Sequence, residues 1–376
     1  MITHKSQQMM FVFLSSAFGG LAPGYYFSFI VQADGRVLAT GENSGGQLGD
    51  GTQQNRNTFV SVFSDGAREV SSGRDFSVLL KQDGSVLATG RNVYGQFGKG
   101  TTADGTSFSE IFPSDAKAVA AGLRHIMILK TDGSVWVAGD NNNGELGTGS
   151  RVPSKKFIRV FWSGVQAIEG GGYFSLVIKG DGSLWGAGQN TYGQLGDGAT
   201  NDRVTFVETI PSGVRAVSAS NFHTLVLKDD SSVWAAGRND FGELGDGSAT
   251  TQVHFVEVVS TNAKAIATGN FHSLVLKQDG TVWAAGRNDF GELATESQAR
   301  QPNFVQVFTN AHAIAAGADH SFVLKKNGRL LAAGRNDYGQ LGDGTHAHTR
   351  TLTKRFVRVA DFAPIQTGAC GVLRGI

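Results

Sequence analysis

The sequence has 376 residues, more than a single compact core usually holds, and a formal net charge of +1. This charge gives no overall attraction to nucleic acid or to a membrane surface, and no apolar run is long enough for a transmembrane helix. Cys370 is the single cysteine, so an internal disulfide is excluded. We therefore expect a cytoplasmic or nuclear protein with no membrane partner, and nucleic acid is not favoured as a partner.

The N-terminal segment supports two interpretations. Lys5, the apolar run 9–14 and the small residues 15–17 resemble a short secretory signal, and the protein is expected to be secreted if residues 1–18 are one. The run 10–13 also precedes the similar run 59–62 by one repeat period. That spacing favours a degenerate strand.

The predicted elements are clearest in the sixth repeat. Its apolar runs lie, in chain order, at residues 255–258, 265–267, 272–277 and 282–286. Each run has the length of a β-strand, and Asp279-Gly280 is typical of a hairpin turn because both central positions need positive φ. No segment has helical periodicity. The unit therefore predicts four short strands.

This unit recurs with a period of about 49 residues, and its closing string GRNDFGEL at 286–293 is repeated without change at 237–244. The copies of the closing string begin at Gly41, Gly90, Gly139, Gly188, Gly237, Gly286 and Gly334. Seven repeats of four short strands predict an all-β fold, a seven-bladed β-propeller. The predicted divisions are 1–23 for a leader or degenerate strand pair, 24–368 for the propeller and 369–376 for a C-terminal tail.

Several repeat positions are predicted to be structural. Asn288 and Gly291 have counterparts in every copy and are expected to shape a loop, the glycine with positive φ. The position of Trp283 always holds Trp or Leu and is expected to fill the gap between blades. The small pair Ala284-Ala285 and its counterparts suit a crowded site near the ring axis.

One position alternates between histidine and phenylalanine, which predicts a buried ring with one hydrogen bond and no metal or acid–base role. Its members are His125, His223, His272, His320, Phe27, Phe76 and Phe174.

Closure of the ring is harder to predict, because the chain carries about eight copies of the pair formed by the first and second strands of a repeat, and seven blades need seven. Residues 356–359 and 364–368 form an additional C-terminal pair, and 11–14 with 21–24 a degenerate N-terminal one. We expect the C-terminal pair to join the inner strands of the first blade and close the ring, with the N-terminal pair either surplus or a cleaved leader.

The repeat Gly-x-Asn-x-x-Gly-Gln/Glu-Leu-Gly-Asp-Gly, complete at 41–51 and 334–344, resembles that of the regulator of chromosome condensation family. The resemblance covers about residues 24–344. It implies a propeller and a protein partner, since the family includes a small-GTPase exchange factor, chromatin-binding members and a secreted β-lactamase inhibitor. The exchange factor's protruding insertion has no room between repeats of uniform spacing.

The predicted function is that of a non-catalytic protein-interaction module, which binds a partner through loops on one propeller face. The candidate residues are arginines and aromatics that follow the first glycine of the motif, because these residue types dominate interface energetics. They are Arg91, Tyr94, Tyr192, Arg238, Phe241, Arg287, Phe290, Arg335 and Tyr338. In the alternative interpretation the arginines are solvated and the aromatics pack under their own loops.

Two other functions stay open: a guanine-nucleotide exchange factor for a small GTPase, and a secreted inhibitor or lectin-like ring. No nucleophile elbow, phosphate-binding loop or zinc spacing occurs, so an enzyme is not expected. His346 and His348 alternate in a linker without a third ligand. We expect a monomer with no cofactor and no metal.

Overall fold

The computed structural model describes residues 18–295, 297–348 and 357–361. In these ranges the chain forms seven sheets, each of four antiparallel strands that are consecutive in the sequence. The predicted seven-bladed β-propeller is therefore confirmed. None of the described segments forms a helix that would traverse a lipid bilayer.

Each blade uses its strands in chain order from the axis outward. The first strands are β1 (Phe18–Pro23), β5 (Ala67–Ser72), β9 (Ala116–Ala121), β13 (Val165–Gly170), β17 (Val214–Ala219), β21 (Ala263–Thr268) and β25 (Ala311–Ala316). The second are β2 (Phe27–Gln32), β6 (Phe76–Lys81), β10 (His125–Lys130), β14 (Phe174–Lys179), β18 (His223–Lys228), β22 (His272–Lys277) and β26 (His320–Lys325). The third are β3 (Val37–Gly41), β7 (Val86–Gly90), β11 (Val135–Gly139), β15 (Leu184–Gly188), β19 (Val233–Gly237), β23 (Val282–Gly286) and β27 (Arg329–Gly334). The outer ones are β4 (Arg56–Phe63), β8 (Gly105–Phe112), β12 (Ser154–Phe161), β16 (Arg203–Ile210), β20 (Gln252–Val259), β24 (Gln301–Phe308) and β28 (Val357–Asp361).

The core lies between blades. Phe76 and Leu80 of blade 2 pack with Ile126 and Ile128 of blade 3, and all four are fully or almost fully buried. Trp136 covers the same cluster, as expected for a residue that fills the gap between blades. Because each sheet is covered on both faces, its strands are apolar on both faces.

The alternating His/Phe position is buried, as predicted. His125 Nε2 lies 2.9 Å from Ser175 Oγ of the next blade, and His320 Nε2 lies 2.9 Å from Ser28 Oγ of blade 1. Such a bond joins neighbouring blades, so these histidines are part of the packing between sheets.

The motif asparagine shapes its loop, also as predicted. Asn190 Oδ1 accepts the backbone N–H of Leu195 at 3.0 Å, and its Nδ2 donates to Asp197 at 2.8 Å. The glycine three residues after each asparagine has positive φ, for example 70° at Gly193. The loop is therefore held by one buried amide group.

The small residues that end the third strands do not lie near the axis, and that expectation was wrong. They belong to strands two places out from the axis, where they face motif glycines of the preceding blade. A Cβ added to Gly49 would lie 3.1 Å from Thr89, and one added to Gly245 would lie 3.2 Å from Ala285. The crowding comes from the close approach of two blades.

The expected ring closure was also wrong. Blade 1 takes β1 as its inner strand, while β28 is the outer strand of blade 7. The Phe-Val runs of the repeats belong to the preceding blade, so among the described strands no blade mixes strands from both ends of the chain. Residues 11–14 and 364–368 lie outside the described residues. The described propeller strands begin at Phe18, before the predicted boundary at residue 24.

Candidate partner-binding face

One end of the propeller carries the motif loops together with the loops that join the first and second strands of each blade. Because the strands are antiparallel, the loops between first and second strands open at the same end as the motif loops after the third strands. At the axis this end forms a small funnel that is open to solvent, whose lining includes Tyr25, Asn221 and Asn270. Backbone hydrogen bonds cross between blades around it, for example from Asn270 N to Ala318 O at 2.9 Å.

Outside the funnel a continuous set of arginine and aromatic side chains crosses neighbouring blades. We call it the Arg–aromatic arc. Its members are Tyr192, Phe222, Arg238, Phe241, Phe271, Arg287, Phe290, Arg335, Tyr338 and Tyr26.

Arg238 lies among aromatic rings from three blades. Its guanidinium carbon is 5.4 Å from the ring centre of Phe222 and 5.2 Å from that of Phe271, and these two rings stack at 5.2 Å. Its Nε donates to Asp240 at 2.6 Å. The side chain keeps 22% exposure, so it is held in place and still reaches solvent.

Arg287 is the most enclosed arginine of the arc, with 13% exposure. Its Nε donates to Glu292 at 3.0 Å, and another guanidinium nitrogen donates to Asp319. Its guanidinium carbon lies 4.5 Å from the Phe271 ring centre. Burial raises the pKa of Glu292 to about 7, although the charge of Arg287 acts in the opposite direction. Arg287 therefore links blades 6 and 7 from within the loop layer.

Arg335 continues the arc across the interface between blades 7 and 1. It lies 4.8 Å from the Tyr26 ring centre and 5.1 Å from that of Phe290, and its Nε donates to Asp337 at 2.5 Å. Burial, followed by the neighbouring Tyr25, raises the pKa of Tyr26 to about 12, so this phenol stays neutral near pH 7.

The structure brings seven of the nine predicted site residues into the arc. Arg91 and Tyr94 lie apart from it: Arg91 is exposed, and Tyr94 stacks beneath Arg124 at 4.6 Å. Arg238, Arg287 and Arg335 each lie over aromatic rings and are only partly exposed to solvent.

Sequence reasoning missed Tyr26, Phe222 and Phe271. Each stands directly before the alternating His/Phe position, and hairpin register places it beside the residue that follows the third strand. Arg238 N donates to Phe222 O at 2.9 Å, and Arg287 N to Phe271 O at 2.8 Å. The position directly before the alternating His/Phe residue could therefore have been identified from the hairpin register in the sequence.

His348 has a structural role in the motif loop of blade 7. Its Nδ1 accepts the backbone N–H of Asn336 at 3.0 Å, where blade 4 uses the carboxylate of Asp202 for the N–H of Asn190. Its Nε2 lies 3.0 Å from Asp337. Across the described ranges, no group of three or more His, Cys, Asp or Glu side chains is arranged to hold a metal ion.

Solved structures with this architecture share low sequence identity with the chain. Human WBSCR16 is 20% identical, with a TM-score of 0.75 over 86% of this chain and 94% of that one. Prp20p from Saccharomyces cerevisiae, described with its binding properties to Gsp1p and histones, is 18% identical, with a TM-score of 0.78 over 93% and 88%. Yeast RCC1 (Prp20) bound to Kap60 is 17% identical, with a TM-score of 0.77 over 96% and 91%. These similarities show the shared fold.

No curated protein matches the sequence. The model of the RCC1-like domain matches residues 24–259, and the models of the regulator of chromosome condensation (RCC1) repeat match 263–292, 311–340 and 279–324. The first match alone spans more than half of the 376 residues. The chain therefore belongs to the RCC1-like family of β-propellers.

Proposed function

We propose that this chain is a non-catalytic protein-binding module whose partner docks on the Arg–aromatic arc. The observation that supports the proposal is an ordered array of arginine and aromatic side chains across adjacent blades, in which the arginines keep 13–24% exposure. Side chains already held by neighbours lose little conformational entropy on binding, and Arg and aromatic residues contribute most at protein interfaces.

The charges beside the arc favour a protein partner over nucleic acid. Asp240, Asp289 and Asp337 stand next to the three arginines with exposures of 55%, 67% and 40%. Each arginine therefore has a carboxylate neighbour, which lowers the attraction to a phosphate backbone. A surface of mixed charge with aromatic groups suits a partner that offers apolar groups surrounded by hydrogen-bonding ones.

Exchange-factor activity on a small GTPase is the second candidate, favoured by family membership and by the similarity to Prp20p, whose described properties include binding to Gsp1p. Nucleotide release from a panel of small GTPases, measured with a fluorescent GDP analogue, tests it. Acceleration by the intact chain supports exchange; no acceleration at saturating protein removes this candidate and leaves the binding module.

We place the protein in the cytoplasm or nucleus. Sequencing of the mature N-terminus tests this, because cleavage near residue 18 indicates secretion and favours the inhibitor or lectin-like alternative.

The docking surface is tested with residues that other blades carry at the same repeat positions. Phe241→Asn takes its residue from Asn143, and Arg238→Gln takes its residue from Gln189. We expect this double variant to retain its fold. The amount of partner that it captures, measured by quantitative mass spectrometry, should be about tenfold or more below the amount captured by the wild type.

Gln82→Ala is the matched control, because Gln82 is exposed in a hairpin turn at the opposite end of the propeller. It should capture the partner as the wild type does. Equal capture by all three proteins would remove the arc as the docking surface.

A further inference from the structure

The outer edge of blade 3 differs in charge from the other described blade edges. Residues 151–164 contain four basic residues and no acidic one. Arg151 is engaged, since it lies 3.1 Å from Asp202. Lys155 and Lys156 are exposed, and no described carboxylate pairs with either of them. Positive charge is therefore left unbalanced along β12.

The fold does not require these residues. The position of Arg159 holds Glu110, Glu208 and Glu257 in blades 2, 4 and 5. The position of Trp162, in the turn after the outer strand, holds Ser64, Pro113, Pro211, Ser260 and Thr309 in other blades. Blade 3 thus has a basic residue and a tryptophan where equivalent sites accept acidic and small ones.

Two apolar side chains near the end of β12 are exposed. Arg159 pairs with Trp136 and Ile158 with Val137, so Arg159 and Ile158 project from opposite faces of the strand. Trp162 is 75% exposed, and Ile158 is 39% exposed. The guanidinium carbon of Arg159 lies 3.1 Å from the ring centre of Trp162 and 5.5 Å from that of Trp136, so it holds the exposed indole in position. Asp132 is close enough for an electrostatic interaction with Arg159. Its carboxylate already accepts hydrogen bonds from the hydroxyl and the N–H of Ser134.

We propose that this edge, formed by Lys155, Lys156, Ile158, Arg159 and Trp162, is a second docking surface for an extended acidic protein segment with an apolar anchor. Unbalanced basic groups complement carboxylates, and the exposed indole with Ile158 supplies apolar contact area. β12 is the edge strand of its sheet. Its first residues already pair with the preceding blade, where Gly100 N donates to Lys155 O at 2.7 Å, and an extended segment can lie beside the strand beyond that point.

The same features disfavour single-stranded nucleic acid. Such ligands stack successive bases on several aromatic rings. This edge exposes one aromatic ring, and Arg159 already covers one of its faces. Trp162 is also separate from the Arg–aromatic arc, because the turn between β12 and β13 lies at the opposite end of the propeller.

The test uses a fluorescent peptide of about ten residues with alternating glutamate and leucine, measured by anisotropy against the intact chain. Its comparison probes are a glutamine–leucine peptide, an all-glutamate peptide and an oligothymidylate of similar length. We expect the glutamate–leucine peptide to bind at least about tenfold more tightly than each comparison probe.

Arg159→Glu and Trp162→Ser, both taken from other blades, should each weaken that binding about tenfold while the melting temperature stays unchanged. Gln278→Ala, in an exposed hairpin turn of blade 6 outside both surfaces, serves as the control and should bind the peptide as the wild type does. No binding by the wild type, equal binding by either variant, or tighter binding of the oligothymidylate would each overturn the proposal.

Discussion

The buried histidines have a defined protonation state. Ser175 Oγ donates to the backbone oxygen of Glu145 at 2.7 Å, so the proton in its bond with His125 comes from the imidazole Nε2. Burial lowers the pKa of His125 to about 4, and that of His223 and His320 to about 3. The interfaces between blades are therefore built for neutral imidazole.

This state predicts acid sensitivity. An unfolded imidazole titrates near 6.5 and the folded His125 at about 4, so stability is complete above pH 6.5 and is lost as pH falls toward 4. His125→Phe, which takes its residue from Phe174, should reduce the stability lost between pH 7.5 and 5 by about 2 kcal/mol in urea unfolding. Burial raises the pKa of Glu145 to about 7, so its contribution to the free energy of unfolding has the opposite pH dependence. That contribution is lost as pH rises from 4.5 to 7. Glu145 is present in both the wild type and His125→Phe. An identical pH dependence of stability in these two proteins would therefore contradict the assignment of a neutral His125.

At the scale of elements, each motif loop is fixed by the blade that follows it. Gly198 N donates to Val253 O, and Gly247 N to Pro302 O, both at 2.9 Å. The sixth motif differs from the others in one residue of its loop backbone. Ala294 stands where the other copies have glycines with φ of 65–76°. Ala294 itself has a φ of 55°, in the left-handed region that costs a residue with a Cβ about 1–2 kcal/mol.

Ala294→Gly should therefore stabilise the protein by about 1 kcal/mol, because the relief of backbone strain exceeds the added entropy of the unfolded chain. Thermal or urea unfolding measures the gain. The reverse change in blade 5, Gly245→Ala, should destabilise it, since the new Cβ would overlap the ring of Phe304. A destabilised Ala294→Gly protein would show that the sixth loop does not share the backbone of the others.

The strands and loop shapes were predictable from the sequence because they depend on local periodicity and turn chemistry. The register of a hairpin is local too: His223 pairs with Gly237, which places Phe222 beside Arg238. Contacts between blades, such as that of Arg238 with Phe271, were not predictable. They depend on the angle between successive sheets, which no spacing within one repeat specifies. The candidate arc was therefore predicted only in its motif positions.

The whole molecule is a closed ring in which the interface between blades 7 and 1 uses the same contacts as the others. His320 faces Ser28, Gly344 N donates to Asn57 O at 2.8 Å, and Thr40 Oγ1 donates to Gly339 O at 2.9 Å. The inner strand β1 takes part in this closure, since its Leu21 packs in one cluster with Ala313 and Ala315 of blade 7. Just after β1, Gly24 O accepts the N–H of Ala318. Closure of the ring thus depends on the same kinds of non-covalent contact that join the other neighbouring blades.

Two truncations test the role of β1. Removal of residues 1–17 leaves every described strand, and we expect a melting temperature close to that of the full chain. Removal of residues 1–24 deletes β1 with its buried Leu21 and Ala22, and should lower the melting temperature by at least about 5 °C or prevent folding. Equal melting of the two truncated proteins would show that β1 is dispensable.

The hydrogen bonds between blades give the ring a direction. The hydroxyls of Ser175, Thr224 and Ser273 each donate to a motif carbonyl of the preceding blade, and Ser28 closes the circle by donating to Gln340. Two successive blades therefore present unlike, complementary sides to each other. A fragment with fewer blades would expose one side of each kind, and such head-to-tail surfaces join into open chains when they do not close. Completion of the seventh blade thus also protects the molecule from self-association.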